Sequence, residues 1–156
     1  MKKFAFLFAL TLLTACETDT STHIDMQKEF AKHPTAVLTL LDGTEIDGFE
    51  GDFCTSVMCF EGPPMDFAAF TYTPYINDTD LIFTVNSTEP INTISLSMLD
   101  ETGEKVHREL PYTLQDNGSY LIEEPFPTDY SKFTLNVSVD FIVEGRANYL
   151  FPLQLQ

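Results

Sequence analysis

FTLNVSVDF, residues 133–141, and ANYLFPLQL, residues 147–155, decide the fold of this chain. In the first, Phe133, Leu135, Val137, Val139 and Phe141 alternate with Thr134, Asn136, Ser138 and Asp140. Successive side chains of a strand point to opposite faces, so this alternation puts an apolar row on one face and a polar row on the other. In the second, Ala147, Tyr149, Phe151, Leu153 and Leu155 form the apolar row. Pro152, on the opposite row, points to an edge strand, where a missing N–H breaks no ladder. Glu144-Gly145-Arg146 lies between the segments, and an antiparallel hairpin is predicted. Directly opposed residues share a face, so the apolar rows meet only if paired residue numbers sum to an even value. A loop of Glu144-Gly145 alone fails that condition. A loop of Glu144-Gly145-Arg146 meets it and sets Phe141 opposite Tyr149, Val139 opposite Phe151 and Val137 opposite Leu153.

Shorter strands are expected at Ala36 to Leu41, Glu45 to Glu50, Asp66 to Thr73, Asp80 to Val85, Ile91 to Leu99 and Lys105 to Leu110. Leu41-Asp42-Gly43-Thr44 carries the Asp-Gly hairpin signal. No amphipathic helix of useful length follows Lys32. About seven or eight short strands in one domain spanning residues 34–156 argue for an all-β, antiparallel β-sandwich. The pattern resembles immunoglobulin-like domains of bacterial surface proteins, with 133–141 and 147–155 similar to their last two strands. The chain departs from antibody domains in having no Trp and in cysteines too close in sequence to bridge two sheets.

The N-terminus follows a different rule. Lys2 and Lys3 precede an uncharged apolar run from Phe4 to Leu13. As a helix that run would rise only about 15 Å, half of a bilayer's hydrocarbon core, so it reads as the h-region of an export signal. Leu13-Thr14-Ala15-Cys16 then resembles the lipobox of bacterial lipoproteins. The resemblance implies that residues 1–15 are removed and that Cys16 becomes a lipid-modified N-terminus on the extracytoplasmic side of a bacterial membrane. With more than one acyl chain such an anchor would be stable. Residues 16–33 are polar, without strand pattern, and read as a tether. Fully extended it would reach about 60 Å, and about 23 Å as a flexible coil.

Cys16, Cys54 and Cys59 are an odd set, which would leave a stray thiol in an exported protein. If Cys16 is consumed as a thioether, Cys54 and Cys59 remain to form a disulfide, which closes a six-residue loop and would contribute about 2 kcal/mol. A thiol redox role is the rival reading, but C-x4-C is not the C-x-x-C spacing of thioredoxin-like sites. A copper site using Met58, Met65 and the thiols lacks a nearby histidine.

The chain carries 8 basic and 24 acidic residues, a net charge of −16. Loss of Lys2 and Lys3 with the signal would leave 6 against 24, or −18. Such a charge excludes nucleic-acid binding through a basic footprint. Asp42, Glu45, Asp47, Glu50 and Asp52 could supply oxygen ligands to a hard cation, although their spacing matches no calcium loop and a solvated face is the simpler account. His23, His33 and His107 match no catalytic pattern, the first two lying in the tether, and no serine elbow, zinc helix or phosphate loop occurs. The expectation is a non-enzymatic, cofactor-free lipoprotein of the cell envelope whose β-sandwich binds a protein or an envelope polymer. An acidic cation-binding accessory lipoprotein is the alternative.

Overall fold

The structure, a computed structural model, describes residues 33–76, 80–123, 126–143 and 145–156. The expected signal, Cys16 and the expected tether up to Lys32 lie outside the described residues. Two sheets pack face to face. One has five strands: β1 (Thr35–Leu40), β2 (Glu45–Asp47), β6 (Leu81–Asn86), β9 (Thr113–Leu114) and β10 (Tyr120–Ile122), in the order β2-β1-β6-β10-β9. The other contains β3 (Phe49–Cys54), β4 (Cys59–Phe60), β5 (Thr73–Tyr75), β7 (Ile91–Leu99), β8 (Lys105–Arg108), β11 (Lys132–Phe141) and β12 (Arg146–Leu155). Its order is β4-β3-β12-β11-β7-β8, with β5 added in parallel to the end of β12.

The β-sandwich expected from the alternation is therefore what the chain forms. The described residues form twelve strands rather than seven or eight, because several turn-flanked pieces of two or three residues join the sheets. The expected strand from Glu45 to Glu50 is two strands in different sheets. The chain crosses between sheets at Gly48, whose N–H donates to the Ala36 carbonyl at 2.9 Å. A Cβ there would lie 2.9 Å from the Phe151 ring, so only glycine lets the backbone turn this corner against the core.

Asp66 to Thr73 is not a strand. Phe67–Ala69 forms a 3-10 turn, and only Thr73 enters a ladder. Phe67, Phe70 and Tyr72 form an aromatic strap: Phe70 stacks on Phe49 at 4.9 Å, Tyr72 donates to the Phe67 carbonyl at 2.9 Å, and Lys132 lies over the Tyr72 ring. Packing by large rings, rather than backbone pairing, holds this segment. Burial raises the pKa of the Tyr72 hydroxyl.

Tyr149, Phe83, Phe133 and Phe151 are the largest fully buried side chains. Phe83 of the five-stranded sheet meets Phe151 edge to face at 5.9 Å and Tyr149 at 6.2 Å, locking the sheets together. The Tyr149 hydroxyl donates to the Pro34 carbonyl at 2.7 Å, so the start of the domain is tied to the middle of β12. Burial, reinforced by the Glu50 charge, holds that hydroxyl neutral far above the ordinary tyrosine range. Three hairpins share one device, in which a side-chain oxygen accepts the backbone N–H two residues on: Asp42 from Thr44, Asp100 from Thr102 and Asn117 from Ser119. The Thr102 hydroxyl lowers the Asp100 pKa, and the Thr44 backbone N–H does the same for Asp42.

The β11–β12 pairing corrects the expected register. Val139 lies opposite Ala147, Val137 opposite Tyr149, Leu135 opposite Phe151 and Phe133 opposite Leu153. The parity holds and both apolar rows face the core, but Val139 and Phe151 are not partners. The strands close at Asp140 and Arg146, whose side chains meet at 2.7 Å, and beyond them the Phe141 N–H donates to the Gly145 carbonyl at 3.1 Å. In the expected register Arg146 would sit in the loop and Asp140 would oppose Leu150, losing that pair. Pro152 is also not on an edge strand, since β12 lies between β3 and β11. It sits between the last β3 partner, Leu150, and the first β5 partner, Leu153, where no neighbour needs its missing N–H.

Candidate functional site

The inner face of the seven-stranded sheet is core; its outer face is half covered. At one end Pro152, Thr134 and Leu99 form a cross-strand row that is buried beside the aromatic strap. Toward the β11–β12 turn the face is open. There Asn148, Ser138 and Ser95 line up across β12, β11 and β7, and Asn136 and Ser97 make the adjacent row. These residues floor a trough of about 420 Å³ that also reaches Asp140 and Arg146. A smaller recess of about 170 Å³, bounded by Asp52, Gly62 and Met65, shares Asn136 and Asn148 with it.

The floor is fixed by its own contacts. The Asn136 amide donates to the Ser97 hydroxyl at 3.1 Å, and Arg146 Nε donates to Asp140 Oδ1 at 2.7 Å. Asp52 accepts the Gly62 N–H at 2.9 Å and holds the far wall in place. Lys105 and Glu109 form the opposite rim. Glu109 has φ of 60°, a left-handed conformation that costs a non-glycine residue about 1–2 kcal/mol. The conformation follows from the next residue: Leu110 turns into the core, and its N–H bonds to the Leu96 carbonyl at 3.2 Å.

Chemically the trough offers hydroxyls and carboxamides, each able to donate and accept, beside the Asp140–Arg146 ion pair, with Lys105 and Glu109 as the charged groups of its rim. It holds no histidine or cysteine. His107 is opposite Met98, whose side chain is in the core, and so lies on the other side of the sheet from Ser97. Among the described residues, then, no histidine lines the trough beside its serines.

The residues singled out in the sequence are elsewhere. Cys54 and Cys59 pair directly across β3 and β4 and are bonded to each other. Their sulfurs are thus occupied, which leaves the Met58 and Met65 copper arrangement without its thiols. The acidic residues at 42–52 are spread along a hairpin and β3, and among the described residues no three His, Cys, Asp or Glu side chains converge to hold a metal ion. His33, read as tether, is part of the domain: its ring lies 4.5 Å from that of Phe53, and its Nδ1 is 3.8 Å from Glu50. In the sequence Asn136, Ser138 and Asp140 show only as the outer row of one strand. The missed signal was that this row and Ser95 and Ser97 on β7 are mostly neutral, in a chain whose surface is otherwise rich in carboxylates.

No protein-family model matches the chain, nor does any curated protein or solved structure.

Proposed function

We propose that the chain is a lipid-anchored binding module of the bacterial envelope, held by Cys16, whose trough on the seven-stranded sheet takes an uncharged, polyhydroxylated polymer. The observation that carries this reading is the open trough floored by Asn136, Ser138, Asn148, Ser95 and Ser97. Side-chain amides and hydroxyls on a rigid sheet match the mixed donor and acceptor pattern of sugar hydroxyls, and they are already oriented, so little ordering cost attends binding. The overall acidity speaks against an anionic polymer, which such a field would repel. It also speaks against nucleic acid for the same reason. Lipobox, cysteine parity and apolar leader support the location.

The test is affinity for neutral polysaccharide purified from the producing cell's envelope, measured with wild type and with Asn136→Ala and Asn148→Ala. Each substitution removes hydrogen bonds to ligand and is expected to weaken binding about five- to tenfold while leaving the circular dichroism spectrum unchanged. Unchanged affinity in both variants, or no binding by the wild type, would overturn the reading. A polypeptide captured by wild type and lost by the same variants would move the ligand to the protein class.

A further inference from the structure

The two ends of the sandwich differ. At one end the β11–β12 turn abuts the disulfide loop: Gly145 lies against the backbone of Cys54 and Thr55. These adjoining turns carry Val57, Ile142 and Val143, which are 56%, 61% and 69% exposed. They are not floppy excursions. The Phe141 N–H bonds to the Gly145 carbonyl at 3.1 Å, the Ile142 N–H to the Pro90 carbonyl at 3.0 Å, and Thr55 bonds across its loop to Met58 at 2.8 Å. The disulfide closes the base of the second turn. Apolar side chains on braced turns cannot retreat into the core, so they stay presented to whatever covers this end.

The chain enters the domain at this same end. Thr35 at the start of β1 pairs with Asn86 at the end of β6, and only four residues link Asn86 to Ile91, which pairs with Phe141. His33 packs on Phe53, whose partner Ala147 is two residues beyond Gly145. Between Cys16 and His33 lie sixteen residues. A coil of that length averages about 22 Å, so an anchor at Cys16 would hold this end close to the membrane.

We propose that the end bearing Val57, Ile142 and Val143 rests in the interfacial region of the bilayer, so that the domain stands on its tip and the trough, whose near end is the Asp140–Arg146 pair at the base of that tip, opens sideways. This inference rests on the anchoring of Cys16. The acidity of the domain opposes approach to anionic headgroups. The tip is therefore a contact made under tethering, not an independent membrane-binding device.

Because the chain has no tryptophan, a single introduced one reports alone. Full-length protein, processed and lipidated in a bacterial host, is reconstituted into phosphatidylethanolamine–phosphatidylglycerol vesicles with and without brominated acyl chains. Val143→Trp is compared with Leu41→Trp, which lies in the hairpin at the opposite end and is 70% exposed in the native chain. The expected result is a blue-shifted emission, largely quenched by bromine, for Val143→Trp, and a red, unquenched emission for Leu41→Trp. Vesicle-bound protein with both reporters unquenched, or both equally quenched, would overturn the tip inference and leave the anchor standing. Protein that fails to stay with vesicles at all would overturn both together. A blue but unquenched Val143→Trp would point to a protein cover and overturn the lipid assignment.

Discussion

Gly145→Ala is expected to lower the melting temperature by on the order of 10 °C. Two costs combine. Gly145 has φ of 74°, a conformation that Ala adopts only at about 1–2 kcal/mol. A Cβ built there would also overlap the Cys54 carbonyl oxygen, with the Thr55 Cα at 3.0 Å. The obstacle is backbone, held by the β12–β3 ladder on one side and by the Cys54–Cys59 bridge on the other, so no side chain can rotate away. Forcing an extra methyl into such a site typically costs about 1–3 kcal/mol. The sum is about 3 kcal/mol, and for a domain of this size each kcal/mol shifts the midpoint by roughly 3–5 °C. Thermal unfolding followed by circular dichroism measures it. A variant that melts with the wild type would mean that the two turns do not touch as described, and the base of the apolar tip would have to be redrawn.

Phe151→Ala is expected to cost about 3–5 kcal/mol in urea-induced unfolding. Phe151 is fully buried, meets Phe83 of the facing sheet edge to face at 5.9 Å, and lies against Gly48 where the chain changes sheets. Truncation removes its transfer free energy and leaves a cavity that three rigid neighbours, two strands and a backbone corner, cannot collapse to fill. The loss is a large share of the 5–15 kcal/mol that holds a typical domain together, so the variant would be partly unfolded at physiological temperature. Ile82→Ala, on the outer face of the five-stranded sheet, is the comparison and should change stability by no more than about 0.5 kcal/mol. Similar midpoints for the two variants would contradict the sandwich core.

The register of β11 and β12 shows what alternation can and cannot carry. Alternation settles which residues are inside, and Phe133, Leu135, Val137 and Val139 are all fully buried. It leaves the pairing open to any even shift, because each shift by two residues again brings apolar rows together. The choice among these falls to the Asp140–Arg146 contact and to the fit of Gly145 against Cys54, and the second involves a strand some ninety residues away. The break at Gly48 and the aromatic strap have the same origin. Glu45 to Glu50 and Asp66 to Thr73 look like strands locally, and only their packing on Phe151 and Phe49 makes them a corner and a strap. Short strands such as Thr113–Leu114 have too few residues to show a period.

The trough was the least legible part. Its floor comes from three strands, and each contributes one or two polar side chains that, alone, read as an ordinary solvated row. Their being neutral in an acidic chain was visible; their meeting was not, since it depends on β7 pairing with β11 and β11 with β12. The disulfide was legible because cysteine parity, with Cys16 set aside on the resemblance of residues 13–16 to a lipobox, left one partner for each remaining thiol.

The proposed location and the proposed orientation of the tip both rest on one atom, the sulfur of Cys16. Intact mass and N-terminal peptide mass spectrometry of the protein isolated from bacterial membranes test it most directly. The account predicts a chain that begins at Cys16, carries a diacylglyceryl thioether on its sulfur, and leaves the membrane when Cys16→Ser is introduced. A membrane-derived chain that begins at any other residue, or that has an unmodified Cys16 thiol, would contradict it.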